Sequence, residues 1–197
     1  GSDPVALILG DNIFYGQSFT KDLKNVAERT ENEAGATIFG YYVKDPREYG
    51  VVAFDENGIA TSIEEKPEHP KSKYAVPGLY FYDNRCVRYA KSLKPSDRGE
   101  LEITDFNKLY LEDDSLDVRL LGRGFAWLDT GTMDSLADAS DYIRVLQKRQ
   151  DILIAAPEEV AYRNEWINEE QLLKLAKKCG KSTYGKYLRE VVKGSIK

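Results

Sequence analysis

Apolar runs and helical stripes alternate along the chain. Val5 to Leu9 is an unbroken apolar run closed by Gly10-Asp11-Asn12. Such a run predicts a fully buried strand of a parallel sheet. Ile13 to Tyr15 with Gly16 reads as a loop. Phe19, Leu23, Val26 and Ala27 then give a helical stripe with Lys21 and Lys24 outside it, and the polar stretch from Glu28 to Gly35 breaks the pattern. Ala36 to Val43 is rich in β-branched and aromatic residues and predicts a strand. Tyr49 to Phe54 predicts another, followed by an Asp55-to-Gly58 turn whose Asn57-Gly58 pair favours a hairpin. The return strand, Ile59 to Ile63, runs out into Glu64-Glu65-Lys66-Pro67. Period two places Glu65 with Ile59, Thr61 and Ile63, and Glu64 with Lys66 on the other face. Glu65 and Lys66 therefore point opposite ways unless the backbone bends.

Ala75 to Tyr82 predicts a further strand, and a helix follows around Cys86 to Leu93. Leu101, Ile103, Phe106, Leu109 and Tyr110 form a helical face, and Leu116 to Leu121 is strand-like. Phe125, Trp127 and Leu128 lead into Asp129, and Thr132 caps a helix running to about Gln150. Within that helix Leu136, Ala139, Ile143 and Leu146 face inward and Asp134 lies in the favoured first turn. Beyond Ile154, Pro157 starts one short helix, and Ile167 to Lys178 and Tyr184 to Val192 give two more. The pattern predicts an α/β fold with a mixed, mostly parallel sheet flanked by helices over 3–150, and a helical tail over 151–197.

With 197 residues, 42% hydrophobic and 31% charged, the composition is that of a globular protein. A net charge of −5 argues against a nucleic-acid surface, though a local basic patch could still meet an anionic small molecule. Cys86 and Cys179 lack metal or redox spacing, which makes a reducing, cytoplasmic setting the default. No apolar stretch reaches the roughly 20 residues of a membrane span, and no leader pattern precedes Val5. Gly1-Ser2 reads as an expression-tag remnant, and opening on a buried strand leads us to expect a further piece upstream.

Two acidic residues at strand ends, Asp11 and Asp129, are the sharpest chemical pattern. Asp129 taken alone serves equally well as a turn residue or as a ligand. As a pair the two suit Mg²⁺, which takes one or two carboxylates together with phosphate oxygens and water. Lys66 could hold a phosphate as a point charge, Glu65 could accept from sugar hydroxyls, and Gly50 and Gly78 admit close backbone approach. His69, between Pro67 and Pro70, reads as a surface residue.

Six blocks occur in order: Leu9 to Asn12, Tyr49 to Val52, Glu64 to Pro67, Ala75 to Tyr82, Arg98 to Asp105 and Trp127 to Thr132. Together, and with Pro157 to Arg163 later, they resemble the bacterial glucose-1-phosphate thymidylyltransferases, a family of sugar nucleotidyltransferases. The resemblance implies a Rossmann-like fold and a cytoplasmic homotetramer. It further implies Mg²⁺-dependent conversion of dTTP and α-D-glucose 1-phosphate to dTDP-glucose and pyrophosphate, feeding dTDP-rhamnose and lipopolysaccharide synthesis. By position, Asp11 and Asp129 resemble the metal ligands. Lys66 and Arg98 resemble the catalytic residues at the sugar phosphate, and Tyr49, Gly50, Glu65, Val76, Tyr80 and Trp127 the substrate pocket. Gly16, Arg123 and Glu159 fall at the family's regulatory nucleotide site.

The family's Gly-rich nucleotide loop and base-reading residues do not occur in these 197 residues; Gly122-Arg123-Gly124 lacks the strand–loop–helix setting of a phosphate cradle. The expectation is that this chain alone gives no turnover. Two other readings stand beside the first: a transferase using UTP or CTP, and a non-catalytic module that binds sugar nucleotide or oligomerises.

Overall fold

The computed structural model describes residues 2–96 and 98–196. The chain packs as two units, one through Gly131 and one from Thr132, a division that falls ahead of the 150/151 boundary expected from the sequence.

The first unit is built on β3 (Ala36–Tyr42), whose residues alternate between two cores. Ile38 packs with Val52, Ile63, Tyr80, Tyr82, Phe106 and Tyr110. Its neighbour Phe39 packs on the opposite face with Val26, Leu79 and Phe81. Strand β7 (Leu79–Tyr82) splits its side chains the same way. Helix α1 (Phe19–Asn32) closes one face; α2 (Cys86–Ser92) and α3 (Ile103–Glu112) close the other.

The sheet runs β1 (Val5–Ile8), β7, β3, β6 (Tyr74–Ala75), β4 (Gly50–Phe54) and β5 (Ala60–Glu65), with β8 (Leu116–Leu121) also paired to β3. Among the described strands only β3 and β8 are parallel; every other pairing is antiparallel. The α/β class stands, but the expected mostly parallel sheet does not. Parallel neighbours need a crossover element between them. Helix α3 leads into β8 and delivers it parallel to β3, whereas β4 and β5 are joined by a tight turn with Gly58 at φ 80°. The expectation rested on Val5 to Leu9, and that run is exposed, Ile8 by 58%.

Two local readings also change. Ile13 to Tyr15, expected as a loop, lies in β2 (Asn12–Tyr15), paired with β9 (Ala126–Asp129) in a separate ribbon; four residues without alternation become a strand only through a distant partner. Helix α1 continues through the polar stretch to Asn32, because Arg29 pairs with Glu33 at 2.9 Å and Asp117 at 2.5 Å, and buried Thr30 donates to the Val26 carbonyl at 2.8 Å. At the end of β7, nearly buried Asp83 accepts from Gly35 N–H (2.7 Å), Arg85 Nε (2.7 Å) and Tyr110 Oη (3.0 Å).

The second unit holds α4 (Met133–Gln150), α5 (Pro157–Arg163), α6 (Glu169–Lys178) and α7 (Thr183–Val192). Leu172, Ala176, Tyr187, Leu188 and Val191 make its core. Thr132 caps α4 as expected: its Oγ1 accepts from Ser135 N–H at 3.1 Å, and Ser135 Oγ accepts from Thr132 N–H at 3.0 Å. Ala139 is buried, but Leu136, expected inward, is 46% exposed. Thr132→Ala should cost this helix about 1 kcal/mol. Amide exchange in the first turn of α4 would quicken; unchanged protection there would count against the cap.

Candidate active site

The β2–β9 ribbon sets the two acidic residues side by side. Asn12 is opposite Asp129 in the register, and the Asp11 carbonyl accepts from Thr130 N–H (3.0 Å) and Oγ1 (3.1 Å). Both carboxylates thus leave the same end of the ribbon. Tyr49 Oη donates to Asp129 Oδ2 and Asn12 Nδ2 to Asp11 Oδ1, each at 2.7 Å. Neither carboxylate joins any ion pair among the described residues. Two uncompensated hard-oxygen donors fit a Mg²⁺ ion that completes its shell with water and phosphate. Among the described residues no cluster of three or more acidic, His or Cys ligands offers a fuller cage.

Asn12 ties this end together. Its Oδ1 accepts from Trp127 Nε1 at 2.7 Å and from Gly78 N–H at 3.0 Å. Trp127 is buried, with the Tyr41 and Tyr49 rings edge-on to it at 5.7 and 5.0 Å.

The β4–β5 pair supplies the next wall. Gly50 is opposite Glu65, and Val76 N–H donates to the Gly50 carbonyl at 2.8 Å. The bend left open by the sequence pattern is present. Lys66 sits at φ 40°, in the left-handed region, while its N–H donates to the Tyr49 carbonyl at 3.0 Å. A non-glycine residue held there carries strain that its surroundings must sustain, a recurrent trait of functional sites. The exposed Lys66 side chain joins no ion pair among the described residues. Thr104 Oγ1, on α3, donates to Glu65 Oε2. A methyl at Gly50 would stand 3.0 Å from that Thr104 oxygen and 3.4 Å from the Glu65 oxygen. Gly50→Ala is expected to push Glu65 off this contact and lower the stability of the first unit by about 1.5 kcal/mol, the size of one hydrogen bond to a charged group. Urea unfolding checks it, and an unshifted midpoint would refute it.

Burial pushes the Tyr49 phenol up to about 12, with the Asp129 bond adding to it. Burial raises Tyr80 as well, and the charges of Glu65 and Asp11 both reinforce the shift. Both phenols stay protonated donors at neutral pH, and Tyr80 lies under the influence of both walls. Arg98 borders the Glu65 side, Nη1 to Oε1 at 3.9 Å. One connected set of contacts therefore joins Asp11, Asp129, Trp127, Tyr49, Gly50, Glu65, Lys66, Val76 and Arg98, and Tyr80 belongs to the core cluster against which Val76 packs. Asn12 and Thr104 enter it without having been singled out. Asn12 was signalled only by its place beside Asp11. Thr104 gave no local signal, since a threonine in a first helical turn is ordinary.

The other three expected residues lie elsewhere. A Cβ at Gly16 would stand 2.1 Å from the Phe125 ring, and Arg123 lines a 360 Å³ hollow with Gln17, Ser18 and Asp22 beside that ring. Glu159 belongs to the second unit, where it accepts from Arg163 Nε at 2.7 Å and from Tyr187 Oη.

The nucleotidyl transferase family model matches residues 1–145. Glucose-1-phosphate thymidylyltransferase of Neisseria meningitidis is 58% identical over 193 residues, covering 98% of this chain and 66% of its own length. The enzyme of that name from Mycobacterium tuberculosis strain H37Rv is 53% identical over 192 residues, covering 98% and 65%. A Bacillus anthracis structure named for glucose-1-phosphate thymidylyltransferase, in complex with sucrose, is 40% identical with a TM-score of 0.60, covering 72% of this chain and 55% of that one. A UDP-glucose pyrophosphorylase in complex with UDP-glucose shares the fold at 22% identity and a TM-score of 0.62, covering 72% and 56%. The chain spans 66% or less of the length of these curated relatives.

Proposed function

The chain belongs to the nucleotidyl transferase family, and from that footing we propose that it supplies the sugar-phosphate and metal side of a transfer joining dTTP and α-D-glucose 1-phosphate into dTDP-glucose and pyrophosphate. The observation that carries this is the contact set linking an uncompensated carboxylate pair, Asp11 and Asp129, to an aromatic wall and a strained, unpaired lysine.

A phosphate oxygen of the sugar phosphate bonds to the α-phosphorus of the nucleotide while the bond to pyrophosphate breaks in line. The attacking phosphate is already largely ionised near pH 7, so no general base is required; positioning and charge neutralisation carry the reaction. Lys66 and Arg98 hold the sugar phosphate. Glu65 accepts from sugar hydroxyls, the backbone at Gly50 and Val76 lines the ring, and Tyr49, Tyr80 and Trp127 wall it. Asp11 and Asp129 would hold Mg²⁺, which would supply charge neutralisation for the transfer.

The preference for thymidine follows the names of the most similar relatives. A product dTDP-glucose would enter dTDP-rhamnose and lipopolysaccharide precursor synthesis in the cytoplasm. Among the described residues no helix is long and apolar enough to cross a membrane. In the same proposal the protein assembles as a homotetramer whose second nucleotide site draws on Gly16, Arg123 and Glu159, and residues 3–150 carry the chemistry beside a helical tail over 151–197. Titration calorimetry of this chain with glucose 1-phosphate and with dTDP-glucose, with and without Mg²⁺, tests the central claim. Saturable binding of both, with a Mg²⁺-dependent component for dTDP-glucose, is expected; no saturable binding of either would overturn it.

A further inference from the structure

Arg98 is surrounded by more negative charge than it can balance. Its Nη2 is 2.8 Å from Glu100, its Nε 3.7 Å from Glu102 and its Nη1 3.9 Å from Glu65. The three carboxylates are not equivalent. Glu100 is 63% exposed at its side chain, whereas Glu102 is only 11% exposed. Glu102 precedes the first residue of α3, and its Oε1 accepts from Ser96 Oγ at 2.8 Å. The same Ser96 oxygen accepts from Arg98 N–H at 3.2 Å. Glu102 therefore acts on Arg98 twice, on the guanidinium directly and on the backbone through Ser96.

We propose that Glu102 is a positioning residue that aims the Arg98 guanidinium at the sugar phosphate, and that Glu100 is the placeholder the phosphate displaces. The inference rests on the reading of Arg98 as a phosphate contact. An exposed ion pair contributes little and exchanges readily, so Glu100 is the carboxylate that gives way at least cost. Once it swings into water, the planar fork of the guanidinium presents N–H groups suited to two phosphate oxygens. A buried carboxylate fixed by a hydroxyl does not give way so easily, and it keeps the fork oriented during the exchange.

The test is calorimetric titration of glucose 1-phosphate, with inorganic phosphate as a second probe, into the wild-type chain and its variants. Glu100→Gln should tighten glucose 1-phosphate about threefold and Glu102→Gln should weaken it about tenfold, opposite signs from the same loss of charge. Plain electrostatics predicts tightening in both, because each variant removes a negative charge near an anion. Tightening or no change in Glu102→Gln would therefore overturn the inference. Glu102→Asp, which keeps the charge, should restore part of the loss. Should Glu102→Gln fail to fold, Ser96→Ala carries the test, with weakening expected and tightening or no change overturning it. Arg98→Lys separates the two levels. If it binds like wild type, the phosphate role of Arg98 falls, and the inference with it. If it weakens binding while Glu102→Gln does not, only the positioning role falls.

Discussion

Asp129→Asn is expected to erase the Mg²⁺ dependence of dTDP-glucose binding and to lower affinity at saturating Mg²⁺ about a hundredfold, since even outer partners of metal ligands can cost that much. The substitution is nearly isosteric. The amide oxygen of asparagine can still accept from Tyr49 Oη, which lies 2.7 Å from Asp129 Oδ2 in the wild type, so the wall is retained while the charge is lost. With only two carboxylates at the ribbon end, removal of one leaves a single hard-oxygen ligand from the pair. Affinity without Mg²⁺ should stay near wild type. A variant with undiminished Mg²⁺ dependence would refute the metal role. Ultraviolet titration gives a second readout. Burial is the main reason the Tyr49 phenol lies near 12, and the Asp129 bond is the next, so Tyr49 should titrate lower in the variant yet remain above an ordinary tyrosine.

Asp83→Ala is expected to cost the first unit about 3 kcal/mol, the combined loss of three hydrogen bonds to one nearly buried carboxylate, while Arg85 keeps its ion pair with Asp113. Arg85 Nε and Tyr110 Oη both donate to this one carboxylate, and so does the Gly35 N–H at the entry to β3. Burial alone would raise the Asp83 carboxyl, but the donors from Arg85, Gly35 and Tyr110 outweigh it and hold it below the ordinary carboxylate value. A depressed folded value fixes the sign. The stabilisation is complete above the unfolded carboxylate value and is lost as pH falls through the lower, folded one. Urea unfolding followed by the fluorescence of Trp127 reports on this unit, because the other tryptophan, Trp166, is 73% exposed. The gap between wild type and Asp83→Ala should be widest near neutrality and close below about pH 4. Parallel curves at all pH values would show that Asp83 is not the group responsible.

Periodic elements were readable from the sequence because their signals are local. The α3 face through Phe106 and Tyr110, the Thr132 cap and the Asn57-Gly58 turn all depend on neighbours within a few residues. Partner choice is not local. Nothing in Asn12 to Tyr15 names Ala126 to Asp129 as its partner, and nothing in Val5 to Leu9 fixes the direction in which it pairs or what covers it. The same limit applies to the candidate site. Asp11, Asp129, Glu65 and Lys66 stood out by charge at the ends of apolar runs. Period two alone set Glu65 and Lys66 apart, and the left-handed backbone at Lys66 breaks that alternation. Asn12 and Thr104 act through hydrogen bonds to residues far along the chain, which only the folded arrangement reveals.

The pairing of Asn12 with Asp129 has a consequence for how such chains diverge. Because successive side chains in a strand alternate faces, inserting or deleting one residue in either half of the ribbon would send Asn12 and Asp129 to opposite faces and take Asn12 off Trp127 Nε1. Substitutions can accumulate at Ile13, Phe14 and Leu128 provided the ribbon still packs, but changes of length cannot. Lineages that keep Asn12 and Asp129 should therefore tolerate altered composition in these two segments while holding their spacing fixed. Length variation would be confined to the stretches that join them to the sheet.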